Sequence, residues 1–169
     1  MIKKQLTIII SLLLLFVINI SCFASDDLNR REYAFGWQFS RPANGFSVKI
    51  PIKEDYYLQP IFAVSMAEKD NSTQGHYALG LRGIYHLPIQ EDFQPYVGVA
   101  LGYSENFEGT SFKDSSVNNG GTGYEAFFGV EYQKYLIRPA LEIGLGGFNK
   151  FDHTHFAGLI ANFSVMYYF

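Results

Sequence analysis

Phe93-Gln94-Pro95-Tyr96-Val97-Gly98-Val99-Ala100-Leu101-Gly102-Tyr103 is the stretch that decides the fold. Phe93, Pro95, Val97, Val99, Leu101 and Tyr103 take every second position, with small Gly98, Ala100 and Gly102 between them. In an extended chain, successive side chains point to opposite faces, so a period of two means a strand with two unlike faces. One face here is bulky and apolar. The other is small.

The alternation runs from Tyr33 to Phe169 in seven further segments. Their apolar positions run from Tyr33 to Phe39, Phe46 to Ile52, Leu58 to Met66, Tyr77 to Leu87, Tyr124 to Tyr132, Ile137 to Leu145 and Ala157 to Phe169. That face carries no charge in any segment. The other face is mostly Gly and Ala, and holds Lys49, Arg82 and Arg138 with Glu125, Glu131 and Glu142. A soluble sandwich turns its polar face to water and fills it with Lys, Glu and Thr. Small residues instead fit a narrow enclosed bore, and bulky ones fit an unconfined outside. Strands cross lipid only as a closed barrel, because every backbone N–H and C=O must be paired within the protein. The sequence therefore predicts an all-β fold, an eight-stranded antiparallel up-and-down transmembrane β-barrel. Tyr33, Tyr56, Tyr85, Phe93, Tyr132 and Tyr167 fall near one set of strand ends. Phe39, Phe46, Tyr77, Tyr103 and Tyr124 fall near the other, as boundary belts do.

Composition agrees. Of 169 residues, 17% are aromatic and 17% charged, and the net charge is −3. So many aromatics exclude disorder. The lack of a basic cluster argues against nucleic acid as a partner.

Residues 1–24 read as an address. Lys3 and Lys4 precede the apolar run Thr7–Ile18, and Cys22-Phe23-Ala24 puts small residues three and one before a cut. The run is short for a spanning helix. The expected division is a cleaved signal peptide, 1–24, and a barrel domain, 25–169. Cleavage takes the net charge from −3 to −5 and removes Cys22, the only cysteine.

Links between segments alternate in length. Lys53-Glu54-Asp55, residues 89–92 and Gln133-Lys134-Tyr135 are short; residues 41–45, 68–75, 105–122 and 148–155 are longer. Short periplasmic turns and long extracellular loops are the rule in such barrels, so both ends of the barrel domain are expected on the periplasmic side. Pro51-Ile52-Lys53-Glu54-Asp55 recurs as Pro88-Ile89-Gln90-Glu91-Asp92, a hairpin repeat with Pro near strand starts.

The chain resembles small eight-stranded outer-membrane barrels of the OmpA transmembrane-domain, OmpX and opacity-protein type. The signal peptide, the segment 94–103 and the end Phe163-Ser164-Val165-Met166-Tyr167-Tyr168-Phe169 carry the resemblance. It implies the outer membrane as location and outer-membrane lipid as surroundings. It also implies that Phe163, Val165, Tyr167 and Phe169 form the signal read by the barrel-assembly machinery. Roles in such families range over envelope support, adhesion and immune evasion, so the resemblance leaves the role open.

An eight-stranded barrel is just wide enough for side chains to fill it. A structural ion-pair plug of Lys49, Arg82, Glu125, Glu131, Arg138 and Glu142 is the expected filling. A two-residue turn at Lys134-Tyr135 would put Glu131 opposite Arg138, and an ion pair is expected there. His76 and His86 point inward at opposite ends of one strand. No enzyme is expected. A lipid hydrolase needs a nucleophile with a base in reach, and no spacing ties Ser111, Ser115 or Ser116 to Asp152-His153-Thr154-His155. No cofactor is expected, and no metal: His153 and His155 beside Asp152 read as a solvated loop. Recognition belongs to the outer loops, chiefly an extracellular ligand at residues 105–122. The alternatives are a narrow channel for small or apolar solutes, a lipid-modifying hydrolase, and a soluble lipocalin-like carrier with the two faces reversed.

Overall fold

The computed structural model describes residues 32–169 apart from 42, 70–71, 89–90, 110–115, 118–119 and 151–154. The expected signal peptide, residues 1–24, lies outside the described residues. The strands are β1 (Ala34–Phe39), β2 (Gly45–Lys53), β3 (Tyr56–Lys69), β4 (Ser72–His86), β5 (Phe93–Gly109), β6 (Ser116–Val117), β7 (Gly121–Tyr132), β8 (Ile137–Lys150) and β9 (His155–Tyr168). β6 is a two-residue strand on the outer end of β5. The other eight pair antiparallel in chain order, and β9 returns to β1 through Ala34↔Tyr168 to Phe39↔Phe163. The sheet therefore closes into an eight-stranded up-and-down barrel, as expected.

Closure leaves each strand one outer and one inner face. Val99, Leu101, Leu141, Leu145 and Leu159 are each more than 60% exposed, whereas Lys49, Arg82 and Glu131 are buried. Phe128 and Leu141 point away from the axis, so a lipocalin-like arrangement with a greasy interior is excluded. Rings pair across neighbouring strands toward both ends of the barrel: Tyr56 with Tyr85 and Phe93 with Tyr132 at the end of the short links, the inner end, and Phe39 with Phe163 and Tyr77 with Tyr103 in the half toward the long links, the outer end.

The inner face departs from expectation in one respect. It is not mainly small. Tyr57, Tyr96, Phe127, Met166 and Tyr168 all turn into the bore. Small residues stand where those rings need room. Tyr96 opposes Gly129, and Phe127 opposes Gly98, across the β5–β7 ladder. A Cβ on Gly129 would collide with the Tyr96 ring, and one on Gly98 with the Phe127 ring. Glycine and ring form complementary halves of one packing unit.

Strands also run further outward than the sequence expectation. The expected loop 68–75 is mostly ladder, from Ala67↔Gln74 to Lys69↔Ser72. The expected loop 105–122 begins as strand, since β5 continues to Gly109 and pairs with β6 through Phe107↔Val117. Outside the apolar layer a hairpin can keep its ladder with polar side chains on both faces, so alternation fades before pairing does.

Candidate functional site

The bore is the candidate site, and it is built in levels. Nearest the inner end, Lys49 of β2 reaches across to Glu131 of β7, Nζ to Oε2 2.7 Å. The Tyr168 hydroxyl lies 2.7 Å from both Glu131 oxygens, donating to the carboxylate. The Lys49 ammonium also lies over the rings of Tyr57, Tyr96 and Tyr168, at 5.9, 5.6 and 5.2 Å. A buried ammonium is tolerated only with such company, because desolvation costs several kcal/mol per ion.

The middle level centres on Arg82 of β4 and Glu142 of β8. Arg82 Nη2 donates to Glu142 Oε1 at 2.7 Å, and Arg82 Nη1 to Gln59 Oε1 at 3.1 Å. The Tyr96 hydroxyl donates to Glu142 Oε1 at 2.6 Å. Gln38 Nε2 and Asn162 Nδ2 add donors to Glu142 Oε2, at 3.3 and 3.2 Å. The guanidinium stacks on Phe127, 4.1 Å from the ring centre. Arg82, Tyr96, Tyr168, Met166, Gln38, Gln59 and Glu131 are each under 2% exposed. The middle of the bore is thus packed with side chains out of contact with water.

Further out, Glu125 accepts two hydrogen bonds from Asn162 Nδ2, at 2.8 and 3.0 Å. Among the described residues no ion pair reaches it. Its side chain rests against Gly144, where a Cβ would strike the carboxylate.

Arg138 requires a correction. The ladder sets Glu131 opposite Ala140, not Arg138: it is displaced by two residues from the register a turn centred on Lys134-Tyr135 would set, and Ile137 to Pro139 pair with β9 alone. Arg138 is therefore shifted toward the inner mouth. It binds Glu32 at 2.5 Å and covers the Tyr168 ring at 3.9 Å. Its approach to Glu131 is 4.0 Å, beyond hydrogen-bond length. The principal partner of Glu131 is Lys49, from the far side of the bore.

His86 stacks on Tyr57 in the bore, ring centres 4.4 Å apart. His76 sits at the outer rim, its Nδ1 2.8 Å from Asn106 Oδ1. Asp152, His153, Thr154, Ser111 and Ser115 lie outside the described residues. His155 Nδ1 is 2.9 Å from Asn149 Oδ1. On β9 Phe163 and Tyr167 are exposed on the outer face, with Val165 half-buried between them, and Phe169, just past the strand, is exposed too. Sequence reasoning missed Gln38, Gln59, Tyr96, Asn162 and Tyr168. The signal was present, since each stands one residue from an outward position in a strand of period two.

A closed eight-stranded antiparallel barrel with an uncharged apolar band outside and paired charges inside defines a class, the membrane β-barrel. No family model and no curated protein matches the chain. Solved structures do. The N-terminal β-barrel domain of OprF from Pseudomonas aeruginosa aligns with a TM-score of 0.52 at 16% identity, covering 82% of this chain and 96% of that one. Neisserial surface protein A aligns at 18% identity and a TM-score of 0.45, covering 82% and 92%. Ail, the attachment invasion locus protein of Yersinia pestis, aligns at 14% identity and a TM-score of 0.44, covering 82% and 97%. What the chain shares with the first of these is the eight-stranded outer-membrane barrel fold.

Proposed function

We propose that the chain is an integral outer-membrane protein of a diderm bacterium, exported by a cleaved signal peptide at 1–24, with a non-catalytic role in envelope structure or surface contact. The observation that carries this reading is the pairing of an uncharged outer band with a bore closed by Lys49–Glu131 and Arg82–Glu142. A plugged barrel transmits little, so recognition falls to the extracellular ends, chiefly residues 105–122. Phe163, Val165, Tyr167 and Phe169 act as the signal for the barrel-assembly machinery. Their outward alternation supports that role.

Membrane fractionation with heat-modifiable gel mobility, followed by protease shaving of intact cells, tests the reading. The expected result is an outer-membrane band that migrates faster unheated and is clipped within 105–122. A soluble periplasmic band overturns it. Planar-bilayer recording separates the plug from the narrow channel: steady unit conductance in the native chain refutes the plug. Mass analysis of lipid A in cells with and without the chain addresses the hydrolase, and an altered acyl pattern refutes the non-catalytic role.

A further inference from the structure

The barrel wall is uneven at its outer end. β1 stops at Phe39 and β2 begins at Gly45, whereas β3 continues to Lys69 and β9 reaches back to His155. β9 pairs with β1 only between Tyr168 and Phe163, and the outermost β2–β3 pair is Phe46↔Phe62. On its β1 side, the stretch of β9 from His155 to Asn162 has no partner strand among the described residues. The six residues of β1 are also fewer than the about nine to eleven that a spanning strand needs. Among the described residues the low hairpin therefore leaves a notch in the wall toward its outer end. An open sheet edge facing hydrocarbon is costly unless something covers it.

Two cavities meet at this notch. One, about 370 Å³, lies on the β1–β9 seam and is lined by Phe39, Arg41, Phe156, Leu159 and Asn162 among others. The other, about 590 Å³, occupies the outer bore and is lined by residues including Arg41, His76, Phe148, Lys150 and Phe156. Ser40, Arg41 and Phe156 belong to both, so the seam opens into the bore over the hairpin. The Arg41 guanidinium lies 5.7 Å from the Phe156 ring centre. Among the described residues neither cavity is lined by a carboxylate. The lining is amphipathic: cations inside, and Phe39 and Leu159 leading outward.

We propose that this notch is a lateral binding site for a single-chain anionic phospholipid. Its phosphate is held by Arg41 and Lys150 in the outer bore. Its acyl chain leaves between β1 and β9 along Phe39 and Leu159. The charge complements the phosphate, and the chain covers the open edge of β9. The inference rests on the membrane placement proposed above, and the experiment distinguishes the two.

The protein, folded in neutral detergent and checked for heat-modifiable mobility, is titrated by native mass spectrometry with palmitoyl-lysophosphatidylglycerol, the matching lysophosphatidylcholine, or glycerol phosphate. The expected result is retention of one lysophosphatidylglycerol per chain, in preference to the zwitterionic lipid. Arg41→Gln weakens retention about tenfold, the loss expected for one charge-assisted hydrogen bond. Leu159→Ser weakens it too, and Lys53→Gln at the inner end of β2 does not. Equal retention by Arg41→Gln and the native chain, both heat-modifiable, overturns the site. So does displacement of the lipid by glycerol phosphate, which marks an anion pocket indifferent to the chain. If no detergent yields a heat-modifiable band, the membrane reading falls and takes the site with it. If the band is present without retention, the site alone falls.

Discussion

Lys49 and Glu131 lie 82 residues apart in the chain and 2.7 Å apart across the bore. No strand pairing joins β2 to β7, so the contact ties opposite walls of the barrel. Removing one partner strands the other charge in a dry interior, which costs about 3–5 kcal/mol. Glu131→Gln and Lys49→Met are each expected to lower the unfolding free energy by that amount, read from the urea titration of the heat-modifiable band as a lower midpoint. Lys49→Met combined with Glu131→Leu is expected to recover much of the loss, because no lone charge is left. A double variant as unstable as the sum of its parts would show that the pair is not the source.

Glu32 offers the contrast. It binds Arg138 at the inner mouth but is about half exposed. Ion pairs in water contribute about 0–1 kcal/mol. Glu32→Gln should therefore lower the same unfolding free energy by less than about 1 kcal/mol, well below Glu131→Gln. Equal losses from both would restore Arg138 as the principal partner of Glu131.

The outer face was legible in the sequence and the plug only partly so, for a physical reason. Hydrocarbon imposes the same demand at every outward position, so Val97, Val99 and Leu101 announce their direction without reference to any other strand. A bore contact depends on how strands are staggered and which walls face each other after closure. Lys49 and Glu131 could be assigned to the inside but not to each other. Of the Glu131–Arg138 expectation only the direct opposition is overturned: the β7–β8 ladder is displaced by two residues, which sets Glu131 opposite Ala140 and leaves Arg138 at 4.0 Å from the carboxylate. The glycines misled in the same way. Gly98 and Gly129 read as a thin lining until Phe127 and Tyr96 are seen in the space they leave.

That packing unit makes a prediction of its own. Tyr96 lies over Gly129 and donates to Glu142. Gly129→Val should displace the ring, with an overpacking cost of about 1–3 kcal/mol. The loss of the Tyr96 hydrogen bond adds to this. Gly129→Val combined with Tyr96→Leu should regain part of the packing cost. Tyr96→Phe, which keeps the ring and removes the hydroxyl, isolates the hydrogen bond, at about 1.5–3 kcal/mol for a charged acceptor. Urea titration of the four proteins in lipid vesicles orders them. A fully stable Gly129→Val variant would mean that the ring has another place to lie.

The outer band makes the sharpest demand. Val99 and Leu141 are 62% and 69% exposed on strands of the barrel wall, an exposure that water would penalise and acyl chains welcome. Arginine at mid-depth on the lipid face costs roughly 2–4 kcal/mol, falling to about 0–1 near the interface. Val99→Arg and Leu141→Arg should therefore reduce folding yield into vesicles and lower the urea midpoint of what does fold. Glu54→Arg, in the exposed β2–β3 turn, should do neither. The same substitutions separate the barrel from any water-soluble alternative. In water an arginine in place of an exposed valine or leucine raises solubility and leaves stability nearly unchanged, so the sign of the effect reports which solvent the band faces.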